Sequence, residues 1–303
     1  MNNGQGPDYN DLHHKLLHAV SFSKKGRLAR LLRHPLRMSR VKLLRATGKN
    51  KEIRAKTFWG GQMNVIFPEM LSIHVLRDGY FESDVCLYMM SQLREGMTFL
   101  DVGAHFGFFS LLGGYLVGPN GKVISLEPTP STYSQLEKNI TAYNDNTNVT
   151  IRNHAAHSEN RELVFYDHGV KNSAYNSPVG MSGMSRTCGA RLVTHKISVQ
   201  ARKIDDVVAE EELRKVDLIK IDAESSEMEV LKGMSKTLEK HSPALILEVG
   251  DFQIEGVPTT NEIIRYLLNL GYAVFGVRNG EISPHVVQDN YEYGNLLFIK
   301  NSA

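Results

Sequence analysis

The chain has 303 residues, of which 42% are hydrophobic and 22% are charged, and its formal net charge is +2. The hydrophobic content supports a full core and excludes a disordered chain, while the length fits one large α/β domain with an extension or two small domains. No apolar run approaches the roughly 18–20 residues of a membrane span, and the polar N-terminus lacks a secretory signal. Together with two cysteines, Cys86 and Cys188, that form no metal or redox motif, this predicts a cytoplasmic protein.

Charge is unevenly distributed along the chain. Residues 1–56 hold 14 Lys or Arg against three acidic residues, a net +11, so the remaining 247 residues sum to −9. Apolar residues at spacings of three and four between Leu16 and Leu44, interrupted at Pro35, predict a basic, partly helical N-terminal arm over 1–56. Such an arm packs on the acidic body, lies peripherally on an anionic membrane surface, or contacts a nucleic acid or acidic partner. The sequence leaves these alternatives open.

The remaining residues, 57–303, are predicted to form one α/β domain. Its first part, 57–96, contains a hairpin over 58–67 that turns at Gly60 and Gly61, followed by two helices. Its core, 97–303, alternates helices with seven main strands, which cover 97–102, 122–127, 149–155, 216–222, 243–249, 272–277 and 293–299. This order implies a seven-stranded, mainly parallel sheet with helices on both faces, and a last strand that is antiparallel because its connection is short.

The stretch from Thr98 to Phe109 predicts a buried strand, a turn at Gly103 and Gly107, and a helix. Glycine lets the backbone turn sharply and approach a ligand, and the carboxyl end of a strand is where α/β sheets bind nucleotide-like ligands. The spacing is not that of a dinucleotide fingerprint. Asp101 would repel a pyrophosphate and favour the positive charges of S-adenosylmethionine. An ordinary strand-turn-helix joint without a ligand stays the alternative.

Acidic residues end four predicted strands, at Asp101, Glu127, Asp222 and Glu248. The carboxyl ends of parallel strands meet at the edge of the sheet where sites are built. A carboxylate at Glu127 is suited to both hydrogens of a ribose diol. A single acid in such a place is more often a helix cap or a solvated group, but four on one edge indicate a site.

These motifs carry a family resemblance. Residues 99–108 and 123–128 are similar to the first two motifs of class I S-adenosylmethionine-dependent methyltransferases. Residues 221–233, IDAESSEMEVLKG, resemble the signature Ile-Asp-x-Glu-Gly-x-Glu-x-x-Val-Leu-x-Gly of the FkbM family, which methylates hydroxyl oxygens. The resemblance covers about 57–300 and implies a Rossmann-like class I methyltransferase fold. The chain departs from the family at His105, usually Asn, and at Ser225, usually Gly.

The resemblance also implies roles for individual residues. Glu127 should hold the ribose, and Asp222 and Glu224 should lie beside the transferring methyl group, facing the acceptor. The full set implied to contact the S-adenosylmethionine cofactor, from its methionine end to its adenine and methyl group, is Asp101, Gly103, Ala104, His105, Gly107, Glu127, Asn153, His154, Ala155 and Asp222.

An aliphatic hydroxyl is a poor nucleophile at neutral pH and needs a general base. Asp222 is the first choice for the base, with His105 and Glu248 behind it. Asp222, Glu224 and Glu248 are also hard oxygen donors of the kind that hold Mg²⁺. Nothing in their spacing demands a metal, and we predict none.

The segment 168–190 is too long and too polar for a plain connector. We predict that it is a substrate lid, and the residues suited to meet a polyhydroxy acceptor, together with Glu224, are Lys171, Asn172, Ser173, Tyr175 and Arg186. A surface insertion without a function is the alternative reading.

The sequence therefore predicts an S-adenosylmethionine-dependent O-methyltransferase that acts on a hydroxyl of a sugar, glycan or secondary metabolite. One alternative is an RNA methyltransferase whose basic arm holds phosphates, although no aromatic shelf for a flipped base is apparent in the sequence. Another is a membrane-surface or scaffold protein that kept the fold without turnover, since a fold does not establish a function.

Overall fold

The computed structural model of the protein describes residues 7–24, 51–143, 148–178, 194–251, 254–278 and 280–300. The helices in this part of the chain are α1 Tyr9–Lys24, α2 Met70–Asp78, α3 Ser83–Gln92, α4 Phe108–Val117, α5 Pro130–Tyr143, α6 Ile204–Glu210, α7 Glu227–Lys232, α8 Ser235–His241 and α9 Thr260–Asn269. A short 3₁₀ helix covers Val170–Tyr175.

Strands form one large and two small sheets. In chain order they are β1 Lys51–Lys56, β2 Gln62–Phe67, β3 Thr98–Val102, β4 Lys122–Leu126, β5 Val149–Arg152, β6 Ala155–Ala156, β7 Arg161–Asp167, β8 His195–Arg202, β9 Leu218–Ile221, β10 Ala244–Val249, β11 Tyr272–Arg278, β12 Glu281–Pro284 and β13 Gly294–Lys300.

The large sheet has eight strands in the order β12-β11-β13-β10-β9-β3-β4-β5. The five strands from β10 to β5 pair in parallel, and β13 is antiparallel to both of its neighbours. The predicted mainly parallel α/β fold with an antiparallel last strand is confirmed. The sheet has one strand more than the predicted seven, because Glu281–Pro284 folds back on β11. That strand is short and partly exposed, so it lacks the buried apolar run that marked the others.

Both faces of the large sheet are buried, as a parallel sheet requires. In β10, Ile246 belongs to one apolar cluster, while Leu245 and Leu247 belong to the other. Successive side chains of a strand point to opposite faces, so the two clusters are the two layers of the core. One layer contains Leu112 of α4 and the other contains Ile264 of α9, which places helices on both faces as predicted.

The N-terminal hairpin begins earlier than predicted. It pairs Lys51–Lys56 with Gln62–Phe67 and turns through 57–61, whereas the sequence placed both strands within 58–67. The first strand was missed because only Ile53 and Ala55 face the core and the other side chains are mostly charged. The strand therefore lies inside the segment that we assigned to the basic arm.

Helix α1, from that same arm, packs on the body of the protein. Leu12 and Leu16 are buried in the core, and the Tyr9 hydroxyl donates to the Leu116 carbonyl of α4 at 3.1 Å. This is the packing that we named as one alternative for the arm. Residues 25–50, which carry most of its basic side chains, lie outside the described residues.

Two predicted elements are divided in the structure. The predicted strand 149–155 ends at Arg152, and Ala155–Ala156 joins a separate three-stranded sheet with β8 and β7. The helical stretch after β9, which the sequence predicts as one helix from about Ser226 to Lys240, is two helices, α7 and α8, separated at Gly233. A Cβ at Gly233 would overlap the His157 carbonyl oxygen, so the break lets the loop after β6 pass close to the helix.

No helix among the described residues is long and apolar enough to cross a bilayer.

Candidate active site

A cavity of about 340 Å³ opens at the carboxyl ends of β3, β4, β9 and β10. Its volume falls within the range of small-molecule sites. Part of the wall is apolar and comes from α2, the loop between α2 and α3, α4 and the three-stranded sheet, with Met70, Leu71, Phe81, Phe108, Phe109, Leu163 and Phe165. The remaining wall is polar and contains side chains from the three strand-end motifs of the sequence. The structure thus brings the predicted edge together as one site.

The glycine turn after β3 brings backbone from two strands together. Gly103 has φ 79°, and a Cβ at this position would overlap the carbonyl oxygen of Asp222. The amides of Gly103 and Ala104 both donate to the Leu126 carbonyl, at 3.0 and 2.9 Å. Gly107 has φ 87° and begins α4. Only glycine combines this backbone with this close approach, so the turn forms a cradle without side chains.

His105 connects this turn to the predicted lid. Its backbone amide donates to Glu127 Oε2 at 3.0 Å, and its Nε2 lies 2.7 Å from Ser173 Oγ. Nδ1 is buried and has no hydrogen-bond partner among the described residues. Burial lowers the pKa of His105, so the ring is neutral at physiological pH. A neutral ring with a free nitrogen can donate to or accept from a ligand in the cavity.

Glu127 is oriented by two main-chain donors, together with the Thr129 side chain. Oε1 accepts from the Thr129 amide at 3.0 Å, and Oε2 accepts from the His105 amide at the same distance. Burial raises its pKa to about 7, although these two hydrogen bonds act in the opposite direction. Each carboxylate oxygen can accept a further hydrogen bond. The carboxylate is therefore preorganised for the two hydroxyls of a ribose.

Asp101 lies behind the turn and does not line the cavity. It is fully buried, and its Oδ2 accepts from Ser110 Oγ at 2.6 Å. Burial raises its pKa, and the positive charge of Lys220 opposes that rise. The Asp101 side chain is thus hydrogen-bonded to α4 outside the cavity wall, and its contact with a ligand stays a prediction.

Of the residues predicted to flank the adenine, His154 and Ala155 line the cavity, and Asn153 does not. The Asn153 amide donates to the carbonyls of Glu127 and Pro128, at 2.8 and 3.0 Å. Asn153 therefore holds the loop after β4, and with it Glu127, in place. Gly107 does not line the cavity either. A Cβ added at this position would lie 2.7 Å from Leu136 Cδ1.

A buried ion pair lies on the other side of the cavity. Lys220 of β9 is 1% exposed, and its Nζ donates to Asp222 Oδ2 at 2.9 Å. Burial lowers the pKa of Lys220, but Asp222, Asp101 and Glu82 outweigh that effect and raise the pKa overall. The lysine is therefore charged and holds one oxygen of Asp222.

Further carboxylates surround Asp222. One oxygen each from Asp222, Glu224 and Glu248 lies within 4.8 Å of the others. Burial, followed by the charge of Asp222, raises the pKa of Glu224 and of Glu248 well above the ordinary value. Glu82 lines the same part of the wall and accepts from the Tyr293 hydroxyl at 2.6 Å. Burial and the charge of Asp222 raise the pKa of Glu82 to about 7.

The backbone of the loop after β9 explains why the resembling signature has Gly at the position of Ser225. Ser225 has φ 75° and Glu224 has φ 47°, so two consecutive residues occupy the left-handed region. That region favours glycine, which explains the Gly of the resembling signature. This chain keeps the same loop with a serine.

The predicted lid is only partly described. Ser173 lines the cavity, while Lys171 is exposed and Asn172 donates to the His168 carbonyl at 3.4 Å. Neither Lys171 nor Asn172 reaches the cavity. Tyr175 ends the 3₁₀ helix, but its side chain lies outside the described part of the chain, as does Arg186.

Sequence reasoning assigned no role to several residues of the wall, among them Lys220, Glu82 and Tyr293. A signal for Lys220 existed, because a lysine within the buried run Leu218–Ile221 is rarely tolerated without a partner. Glu82 ends the stretch 79–82, Gly-Tyr-Phe-Glu, which also resembles the FkbM family but was given no role in the site, and Tyr293 gave no signal. They come from segments 211 residues apart, and only the tertiary fold brings them together.

Comparisons with known proteins identify a methyltransferase domain in this chain. A family model described as the methyltransferase FkbM domain matches residues 101–274, a segment that contains all three strand-end motifs. The chain is 26% identical over 200 residues to 31-O-demethyl-FK506 methyltransferase FkbM of Streptomyces tacrolimicus, covering 60% of this chain and 75% of that protein.

Two further relatives are matched over shorter segments. Hexuronic acid methyltransferase AglP of Haloferax volcanii is 25% identical over 170 residues, which cover 54% of this chain and 61% of that protein. Methyltransferase 1 of Beauveria bassiana is 26% identical over 162 residues, which cover 50% and 63%. The chain thus spans less than two thirds of the length of these two relatives. Among solved structures, methyltransferase FkbM of Methylobacillus flagellatus aligns with a TM-score of 0.42 and 17% identity, covering 70% of this chain and 49% of that one.

Proposed function

This chain belongs to the FkbM methyltransferase family, and from that premise we propose that it methylates a hydroxyl oxygen of a sugar, glycan or secondary metabolite. S-Adenosylmethionine is the cofactor of this methyltransferase domain. The observation that carries the proposal is the coincidence of the family segment with one cavity, in which the glycine turn and Glu127 face a cluster of carboxylates.

The residues present fit the cofactor. Gly103 and Ala104 line the cavity, and Glu127 offers two oriented acceptors for a ribose diol. His154 and Ala155 line the same cavity, and we assign the adenine to them. When bound, the cofactor supplies an electrophilic methyl group on a sulfonium. The chain itself has to align the acceptor and accept its proton.

We assign the proton-accepting role to Asp222, as the sequence predicts. Lys220 holds Oδ2 of this carboxylate, which fixes its orientation and leaves Oδ1 for an acceptor hydroxyl. Glu248, on the next strand, is the second choice, because burial raises its pKa and so makes its carboxylate a stronger base. His105 is the third choice. Its amide already donates to Glu127, which we assign to the cofactor, and its Nε2 lies against Ser173 of the predicted lid.

The names of two relatives support an oxygen acceptor. One acts on a hexuronic acid and the other on 31-O-demethyl-FK506. A hydroxyl acceptor is our proposal for this chain. We also propose that the protein is cytoplasmic and that its basic arm contacts an anionic membrane surface or an acidic partner. The comparisons give no support to an RNA methyltransferase or to a scaffold without turnover.

Calorimetric titration of the full chain with S-adenosylmethionine and S-adenosylhomocysteine tests cofactor binding. We expect saturable binding that Glu127→Ala weakens at least about tenfold, since a charged hydrogen-bond pair contributes about 1.5–3 kcal/mol. Glu137→Ala, at an exposed site on α5, is the matched control and should bind normally. Absence of binding at millimolar cofactor would overturn the proposal.

Methyl transfer to a panel of hexuronic acids, neutral sugars and polyols then tests the reaction. With the best acceptor, Asp222→Asn should lower kcat by about 10²–10⁴, the usual contribution of a general base. Its affinity for S-adenosylhomocysteine should be preserved. Asp289→Asn, on the exposed surface, serves as the control. Full activity of Asp222→Asn would remove Asp222 from the base role.

A further inference from the structure

Part of the predicted lid is packed into the cavity wall. The residues 170–178, which we call the lid segment, include Ser173, Asn176 and Pro178, and all three line the cavity. Ser173 is 5% exposed and Asn176 is 7% exposed, so both side chains are buried. The groups that bind these two side chains therefore hold the lid segment in place.

The hydrogen bond between His105 and Ser173 has a defined direction. Ser173 Oγ lies 2.9 Å from the Val170 carbonyl oxygen and 2.7 Å from His105 Nε2. A carbonyl only accepts, and a hydroxyl has one hydrogen, so Ser173 donates to Val170 and accepts from His105. Burial lowers the pKa of His105, and a neutral imidazole carries one hydrogen. That hydrogen is therefore on Nε2, and Nδ1 is left as an acceptor.

Thr129 holds the lid segment at a second point. This threonine is fully buried, and its hydroxyl donates to the carboxylate of Glu127. Its Oγ1 also accepts a longer hydrogen bond from Asn176 Nδ2, at 3.4 Å. Asn176 Oδ1 accepts from the His168 amide at 2.8 Å, which fixes the side-chain amide with its nitrogen toward Thr129.

The same two residues orient Glu127 through their backbone. The His105 amide donates to Oε2 and the Thr129 amide donates to Oε1, each at 3.0 Å. Each residue thus contacts Glu127 with its amide and the lid segment with its side chain. A shift of the Glu127 carboxylate displaces both amides, and with them both attachments of the lid segment. The two sites are connected by a contiguous hydrogen-bond network of the kind that carries coupling.

We propose that His105 and Thr129 are positioning residues that couple the cofactor site to the lid segment, so that a ribose bound at Glu127 fixes this wall before the acceptor binds. The assignment of the ribose to Glu127 rests on the proposed function. Coupling is reciprocal, so a seated lid segment also strengthens cofactor binding. The resembling family usually has Asn in place of His105, and that shorter side chain lacks the Nε2 donor. The connection to Ser173 is therefore a property of this chain.

Hydrogen exchange of the full chain, followed by mass spectrometry with and without S-adenosylhomocysteine, tests the coupling. We expect the ligand to slow exchange of the lid segment at least about tenfold, within the usual range of coupling between sites. His105→Asn should reduce this slowing to less than about threefold. Asparagine accepts the left-handed backbone at φ 51° and keeps the amide on Glu127, so the variant removes the side-chain connection alone.

Ser173→Ala tests the reciprocal effect. It should weaken S-adenosylhomocysteine binding about five- to tenfold in calorimetric titration, although Ser173 is bound to His105 rather than to Glu127. Ser198→Ala is the matched control, because its hydroxyl donates to Glu162 on the exposed surface, and its affinity should be unchanged. Nitrogen NMR of histidine-labelled chain should show the Nε2–H form of His105, assigned by the signal that His105→Asn removes.

Slow exchange within β10 shows that each variant is folded. Normal binding of S-adenosylhomocysteine with unchanged exchange of the lid segment would overturn the coupling and leave the methyltransferase proposal standing. Equal affinities of Ser173→Ala and Ser198→Ala, or an Nδ1–H form of His105, would also overturn it. Absence of S-adenosylhomocysteine binding by the unmodified chain would remove both proposals.

Discussion

The two halves of the cavity are built differently. In the cofactor half, around Gly103 and Glu127, both oxygens of Glu127 accept main-chain hydrogen bonds, and Asn153 fixes the loop that carries it. In the acceptor half, one lysine faces Asp222, Glu224, Glu248 and Glu82. The first half is satisfied by the backbone, and the second depends on side-chain charges.

This difference indicates what each half recognises. Main-chain donors and a glycine cradle are fixed in space, so they suit one invariant ligand that is bound in one pose. Carboxylates without full partners are costly in the free protein and gain most from a ligand that brings charge. The cofactor half is thus complete before binding, and the acceptor half is completed by what binds there.

Replacing Lys220 tests the acceptor half and has the largest expected effect on stability. Lys220→Met keeps the length of the side chain but leaves buried carboxylates without their cation, so the free energy of unfolding should fall by about 3–5 kcal/mol. Lys215→Met is the control, since Lys215 pairs with Asp217 at an exposed site and should cost at most about 1 kcal/mol. Chemical denaturation measures both. Equal losses in the two variants would contradict the ion-pair argument.

The cofactor half is tested by a pair of glycine variants. Gly103→Ala and Gly60→Ala both place a side chain at positive φ, but only the Cβ at Gly103 would meet backbone, the carbonyl oxygen of Asp222. Gly60→Ala should cost about 1–2 kcal/mol of stability and leave the cofactor affinity unchanged. Gly103→Ala should also weaken S-adenosylhomocysteine binding at least about a hundredfold, about 2.7 kcal/mol. Similar calorimetric affinities for the two variants would show that the close approach is unnecessary.

The pH dependence of the free energy of unfolding tests the raised pKa values of two buried carboxyl groups. Burial raises the pKa of Glu82 and of Glu127 to about 7, so the folded chain keeps protons that the unfolded chain releases above about pH 4.5. The free energy of unfolding therefore falls as the pH rises through this window, by at most about 1.4 kcal/mol per pH unit for each group. Glu82→Gln should flatten the profile of the cofactor-free protein in denaturation series. A profile parallel to that of the unmodified chain would contradict the raised pKa.

The smallest expected effect concerns the loop after β9. Ser225→Gly relieves a left-handed backbone at φ 75° and should stabilise the protein by up to about 1 kcal/mol, or about 1–3 °C in Tm. Ser226→Gly is the matched control, because Ser226 has φ −120° and gains nothing from glycine. Calorimetric scans compare the two. A lower Tm for Ser225→Gly than for Ser226→Gly would show that the serine side chain stabilises the loop.

The fold was predictable because its signals are local. Runs such as Thr98–Val102 and Ala244–Val249 are buried on both faces, so their apolar character is continuous along the sequence. The hairpin strand Lys51–Lys56 and the edge strand Glu281–Pro284 were missed or misplaced for the opposite reason. Each is exposed along much of its length, and its partner strand decides its structure.

The candidate site was predictable in outline and only partly in detail. Glu127, His105, Asp222, Glu224 and Glu248 do meet at one cavity, as expected for acids at the ends of parallel strands. Asp101, from the first motif, and Asn153, which follows β5, were predicted with them but lie outside the wall, where they bind Ser110 and the carbonyl of Glu127. Position in a motif does not fix the direction of a side chain, which depends on how neighbouring elements pack against it.

The sequence by itself determined the parallel sheet, the glycine turn, the acidic edge and the family, because each follows from residues that are close together in the chain. Only the tertiary structure decided that Lys220 pairs with Asp222, and that Glu82 and Tyr293 join the wall from opposite ends of the chain. The physical reason is that burial and charge compensation act over a few ångströms in space. Distances along the chain carry almost no information about them.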